Sequence, residues 1–290
     1  VKRMTKINGL TLSILAVTAG AACASAAPTP APQTVSTPAG DTRSSDPSVE
    51  RPVERPAQAF QFDTITPFLK LSDAYGDRAT SAHGTFGMIP AQTASPSHTH
   101  SAAYHGVVIQ GEMTDGFNGE ANPPHLGPGS YWYVPGNAVH ITACVSTVPC
   151  LFYTHADAKF DFAPATATGA GLPAGAIERP AAEFRFDTIT PFLKFSDAWG
   201  DRTSGPHGTF GIIPGETASP SHIHNAAYHG VVIQGEMTDG FDGEANPPRL
   251  GPGSYWYVPA RAVHITACVS KVPCLFYTHS DGKFDFALAQ

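Results

Sequence analysis

Residues 98–112 read His-Thr-His-Ser-Ala-Ala-Tyr-His-Gly-Val-Val-Ile-Gln-Gly-Glu, and residues 222–236 read His-Ile-His-Asn-Ala-Ala-Tyr-His-Gly-Val-Val-Ile-Gln-Gly-Glu. Side chains repeat every two residues along a strand, so His98 and His100 project from one face. His105 follows and opens the apolar run Gly106 to Met113. Further on, Gly129 begins Gly-Ser-Tyr-Trp-Tyr-Val-Pro-Gly-Asn-Ala-Val-His, which ends at His140. The counterparts are His222, His224, His229 and His264. Working outward, residues 54–163 align with 178–287 without a gap, and 89 of 110 positions are identical. A period this long exceeds that of a solenoid and suits a repeated domain.

The chain therefore divides into two units, 54–163 and 178–290, joined by a flexible linker, 164–177 (PATATGAGLPAGAI). Each unit alternates short aromatic and β-branched runs with Gly, Pro, Asn and Asp. Phe60-Gln61-Phe62, Tyr131 to Val134 and Cys150 to Tyr153 are such runs, and Asp115-Gly116 and Asn118-Gly119 are turn dipeptides. No run has a convincing 3.6-residue period. The expected class is all-β, with each unit a sandwich or barrel.

The histidine pattern resembles the cupin superfamily, whose first motif is G-x5-HxH-x3-4-E-x6-G and whose second is G-x5-PxGxxH-x3-N. His98 and His100 match the first pair, His105 stands at the usual Glu, and Gly111 lies one residue closer than that alignment requires. Gly129, Pro135 and His140 match the second motif, with Asn137 for its inner Gly and Cys144 for its last Asn. The resemblance covers both units and implies a bicupin: two tandem double-stranded β-helix (jelly-roll) barrels. The ending Cys144, Cys150-Leu-Phe-Tyr and Phe160-Asp-Phe162 is similar to a bacterial bicupin group of unknown function.

On this reading each unit holds one divalent metal through four imidazoles: His98, His100, His105 and His140, then His222, His224, His229 and His264. Imidazole suits Fe, Zn, Ni and Cu. Fe2+ is favoured, with Zn2+, Mn2+, Ni2+ or Cu2+ as alternatives. Four neutral ligands leave the dication uncompensated, which favours an anionic guest. Tyr131, Trp132, Tyr133, Gln110 and Gln234 are candidates to line a substrate pocket, against the competing reading of the aromatics as core. Structural or surface roles are expected for His83, His207, His155 and His279. His125 becomes Arg249 in the second unit, so an imidazole is not required at that position.

Each unit also carries a C-x5-C pair across an expected hairpin turn, Cys144 with Cys150 and Cys268 with Cys274. Export would make both pairs disulfides. The N-terminus supports export. Lys2, Arg3 and Lys6 precede the short apolar stretch Leu10 to Val17, and Ala24-Ser25-Ala26 is a cleavage site, so residues 1–26 read as a signal peptide. Cys23 offers an alternative lipid anchor. Residues 27–53 read as a disordered Pro/Ser/Thr-rich tether. The expected location is the bacterial periplasm or the exterior.

The chain carries 17 Lys and Arg against 24 Asp and Glu, a net charge of −7. It has no basic run for nucleic acid and no transmembrane span. No nucleophile elbow, phosphate loop or dinucleotide fingerprint is present. Two functions remain. The first is an exported metal-dependent enzyme, a non-haem Fe(II) dioxygenase-like bicupin acting on a small anionic or enolisable molecule. The second is a metal- or small-ligand-binding protein without turnover. An open coordination position favours the first, and a site closed by four imidazoles favours the second.

Overall fold

The computed structural model describes residues 50–169 and 171–289. The expected signal segment, Cys23 and residues 27–49 of the tether lie outside them. Every regular element among the described residues is a β-strand, apart from two short 3-10 turns, Ala57–Ala59 and Ala181–Glu183. Each repeat forms a seven-stranded sheet facing a five-stranded one. The chain is thus two cupin barrels.

In the first repeat the larger sheet runs, edge to edge, Ile177–Arg179, Tyr131–Val134, Tyr104–Gln110, Cys150–Ala156, His83–Ile89, Leu69–Gly76 and Asp63–Thr66. The smaller sheet contains Ala163–Pro164, His98–Thr99, His140–Cys144 and Thr93–Ala94, with Met113–Phe117 also paired to His140–Cys144. The strand Tyr104–Gln110 is almost continuously apolar because both of its faces are buried. Val108 enters the core between the two sheets, with Ile89, Met113, Phe117, Trp132 and Phe152. Val107 and Ile109 point the other way, into a core shared by the two repeats with Phe86, Tyr131 and Tyr153 and their counterparts Phe210, Tyr255 and Tyr277. Gly106 is required where Trp132 crosses it: a Cβ there would stand 2.3 Å from the indole.

The edge strand Ile177–Arg179 comes from the start of the second repeat, yet it pairs with Tyr131–Val134 of the first. Reciprocally, Val53–Arg55 pairs with Tyr255–Val258 of the second. The repeats therefore exchange their first strands, and neither barrel is complete within the boundaries expected from sequence. Val53, assigned to the tether, and Pro164 and Ile177, the ends of the expected linker, all belong to strands.

Both cysteine pairs are disulfides, Cys144–Cys150 and Cys268–Cys274, with Cα separations of 5.6 and 5.7 Å. The expected hairpin is corrected in one respect. Cys144 ends a strand of the small sheet and Cys150 begins a strand of the large one, so the bond staples the two layers rather than two neighbours in one ladder.

Candidate metal centre

The strand ending His98–Thr99 lies antiparallel to His140–Cys144 with His98 directly opposite His140. His100, two residues on, projects from the same face as His98. His98, His100 and His140 each offer a ring nitrogen within 4.8 Å of the others, and all three are buried. The Nε2 atoms of His98 and His100 are 3.2 Å apart. The second repeat gathers His222, His224 and His264 in the same way.

The opposite ring nitrogens fix the tautomers. His98 Nδ1 donates to the Pro96 carbonyl at 2.9 Å, His140 Nδ1 to that of Ala138 at 3.0 Å, and His100 Nδ1 to that of Asp161. With the proton held at Nδ1, the Nε2 lone pairs are free to converge. In the second repeat the acceptors are Pro220, Ala262 and Asp285. Burial also keeps the rings neutral. It pushes His98 down to about 3, helped by the neighbouring His140, and His140 itself down to about 4. The first repeat's donor set contains no carboxylate, and it fits a divalent metal that accepts imidazole nitrogen.

His105 is not brought to this group, and the expectation of a fourth imidazole ligand is corrected. Its side chain points into the core between the repeats, where Nδ1 lies 2.7 Å from the Tyr131 hydroxyl and the ring stacks on His155 and Trp199. His229 is placed likewise, with Tyr255, His279 and Tyr75. Tyr104 comes to the group instead, its hydroxyl 3.2 Å from His140 Nε2, as Tyr228 does for His264. The spacing of Gly111 carried this signal. With Tyr104 in the place of the usual Glu, Gly111 falls six intervening residues on, as the cupin motif has it. Gly111 adopts φ +81°, the left-handed turn that glycine favours.

Two of the three imidazoles, His98 and His100, line a cavity of about 760 Å³, counting its mouth, walled by Phe68, Trp132, Phe152, Phe160 and Phe162. Phe162 stacks on His98 at 4.4 Å. Lys159, exposed, is the only formally cationic side chain lining it. The second cavity, about 660 Å³, has Phe192, Trp256, Phe276, Phe284, Phe286 and Lys283. Of the sequence candidates, Trp132 lines the cavity, while Tyr131 and Tyr133 pack between the repeats because they occupy the opposite face of the strand. Gln110 and Gln234 are corrected as well: both are exposed and donate to the carbonyls of Pro149 and Pro273. His83 and His207, expected to be structural or superficial, are buried and line the cavities. His125 is exposed and bonds Glu112, and Arg249 meets Glu236 in its place.

The family described as a domain of unknown function, DUF4437, matches residues 72–184 and 195–289. The chain belongs to this family. The two DUF4437 segments coincide with most of the two barrels. The fold is also that of solved bicupins. A provisionally assigned dioxygenase of Nostoc punctiforme superposes with TM-score 0.64 at 13% identity, over 83% of this chain and 87% of that one. Oxalate decarboxylase of Bacillus subtilis gives TM-score 0.57 at 13% identity, over 81% and 78%. Salicylate 1,2-dioxygenase of Pseudoaminobacter salicylatoxidans, solved with gentisate, gives TM-score 0.51 at 14% identity, over 69% and 68%. No match is found among curated protein sequences. Among the described residues, no helix of this DUF4437 chain is long and apolar enough to cross a membrane.

Proposed function

We propose that the chain is a metal-dependent bicupin oxygenase, of the non-haem Fe(II) dioxygenase kind, acting on a small anionic or enolisable molecule with an aromatic or otherwise apolar body. The carrying observation is the trio of neutral, buried imidazoles, two of which line an aromatic-walled cavity. Three protein ligands leave coordination positions open for exogenous groups, which four would restrict. By that criterion an open position favours turnover over binding alone. Zn2+, Mn2+, Ni2+ and Cu2+ remain chemically compatible alternatives to Fe2+.

Iron(II) held there supplies Lewis acidity and one-electron redox chemistry toward dioxygen. The residues of the chain do the rest. Carbonyl bonds at Nδ1 lock each imidazole, and Phe160 and Phe162 exclude water beside it. An all-imidazole set leaves positive charge uncompensated, and Lys159 adds another at the cavity, so a carboxylate or enolate is the complementary guest. Tyr104 stands where its hydroxyl can donate to an oxygen of that guest. The solved salicylate dioxygenase carries gentisate, an aromatic carboxylate. The two disulfides suit an oxidising, extracytoplasmic compartment, periplasmic or secreted.

The test is elemental analysis of protein purified without chelators, followed by anaerobic Fe(II) loading and oxygen-uptake assays. The panel is gentisate, salicylate and short enolisable 2-oxo acids. About two metal ions per chain with guest-dependent oxygen uptake is the expected result. Metal with guest binding but no uptake under any metal assigns a binding protein instead. Failure to retain any divalent metal overturns the proposal.

A further inference from the structure

The two cavities are not equivalent. Every position that lines the first carries the same residue in the second repeat, with two exceptions. Leu71 becomes Phe195, and Ala156 becomes Ser280. All four residues line their cavities, and the second cavity is the smaller, about 660 Å³ against about 760 Å³. Ser280 does not reserve its hydroxyl for a guest: it donates to the Ala227 carbonyl at 2.7 Å and accepts from the Gly282 N–H at 3.2 Å. The exchange of isobutyl for phenyl is what alters the space.

Phe195 lies opposite Gly211 in the ladder, as Leu71 lies opposite Gly87. Thr209 stands two residues from Gly211 on the same face, within diagonal reach of a large ring. Its counterpart Thr85 lines the first cavity, whereas Thr209 does not line the second. The Phe195 ring is also held where it is. Phe284 meets it edge-on at 5.0 Å and Phe276 at 6.5 Å, and the Arg202 guanidinium lies 6.0 Å from its centroid. Arg202 is itself tied to Asp197 at 2.8 Å and to Asp187 at 3.2 Å. Phe284 in turn packs on His224, with ring centroids 5.5 Å apart. Phe195 therefore cannot turn aside for a guest without disturbing the wall beside the three-imidazole group. Close-packed interiors resist such overfilling.

We propose that the two barrels take guests of different size, and that Leu71 and Phe195 set the limit: a one-ring aromatic acid enters both cavities, and a two-ring acid enters the first alone. The acid group rests on the function proposed above, whereas the size limit rests on the cavity walls. A second ring in the smaller cavity has to displace packed side chains, and the strain offsets the apolar contact it gains. In the first cavity the shorter Leu71 leaves that space to the guest. The duplicated site then serves a series of related acids rather than one acid twice.

Calorimetric titration of the full chain under argon tests it, with salicylate as the one-ring acid and 3-hydroxy-2-naphthoate as the same acid with a fused second ring. Salicylate should bind at two sites per chain and the naphthoate at one. Phe195→Leu should raise the naphthoate count to two, and Leu71→Phe should lower it to none, while both variants keep two salicylates. Each variant gives one barrel the residue with which the other already folds, and near-ultraviolet circular dichroism checks the packing. Equal binding of the two acids by the parent chain, no binding of the naphthoate beside bound salicylate, or a naphthoate count that neither variant moves overturns the proposal. If neither acid binds, the anionic-guest reading above fails, and benzene and naphthalene decide the size limit with the same counts expected. Naphthalene at two sites of the parent chain, or at none, then overturns it.

Discussion

His155 and His279 stack face to face between the repeats, with ring centroids 3.8 Å apart and planes 3° from parallel. The stack continues outward to His105 at 4.7 Å and His229 at 4.8 Å, and is closed by Trp199 on one side and Tyr75 on the other. His155 Nε2 meets the Tyr277 hydroxyl and His279 Nε2 that of Tyr153, each at 3.0 Å across the two repeats. These rings pack closely only while neutral, since adjacent imidazolium rings would repel.

The first prediction is acid sensitivity. Burial pushes His105 and His229 down to about 4, and holds His155 and His279 well below the usual imidazole range. In the unfolded chain they take up protons near 6.5. The unfolded state therefore binds more protons below that pH, and stability falls with falling pH. Melting temperature should be level above about pH 6.5 and should decline toward pH 4. Replacing His105 and His229 by Gln should make that decline shallower. An unchanged pH dependence in the variant contradicts the assignment.

The second prediction separates ligand from stack. His98→Ala with His100→Ala should halve the metal content, because one of two groups is lost. His105→Ala should leave metal content intact and lower the melting temperature through the lost stacking on His155 and Trp199. Elemental analysis and calorimetry on the same samples decide it. Loss of one metal equivalent in His105→Ala would restore the four-imidazole set.

A third concerns the exchanged strand. Replacing Val53 and Glu54 together by Gly-Ser removes the side chains that this strand brings to Tyr255–Val258, and spares Arg55, which bonds the carbonyls of Asp73 and Ala74 in the first repeat. Damage should appear in the second barrel, as loss of the metal held by His222, His224 and His264. The first barrel's metal should remain, which a His98→Ala, His100→Ala background can confirm by falling to none. Equal loss from both barrels argues against the strand assignment.

The fourth is the layer staple. Cys144→Ser with Cys150→Ser should cost about 2 kcal/mol, the magnitude expected for so short a closed loop. Denaturant titration measures it. Metal content should not change, because neither sulfur adjoins the imidazoles.

Much of this was legible in the residues. The spacing of His98, His100 and His140 survives as geometry because a two-residue step fixes a strand face. The alternation at Tyr131, Trp132 and Tyr133 correctly separates one ring from two, although it does not say which face is the cavity. His105 was misplaced by a single position, with Gly111 out of step as the sign. The exchange of Val53–Arg55 and Ile177–Arg179 could not be read at all. The two segments share the pattern apolar-Glu-Arg, and the strands that receive them are both Tyr-Trp-Tyr-Val, so local preference is satisfied equally in either barrel. Only the path of the chain between the barrels distinguishes the two pairings.

That exchange has an evolutionary corollary. A single copy of the unit would present an unpaired Tyr-Trp-Tyr-Val edge and a bare face of Tyr, Val and Ile, both of which invite association. It would satisfy both by donating its leading strand to an identical copy and receiving one back, as a symmetric swapped homodimer. The present chain has the architecture of such a dimer after gene fusion, with the twofold retained in the pairing of His155 with His279. Fusion fixes the stoichiometry at one to one and frees the two cavities to diverge, as Leu71 of the first and its counterpart Phe195 of the second have already done.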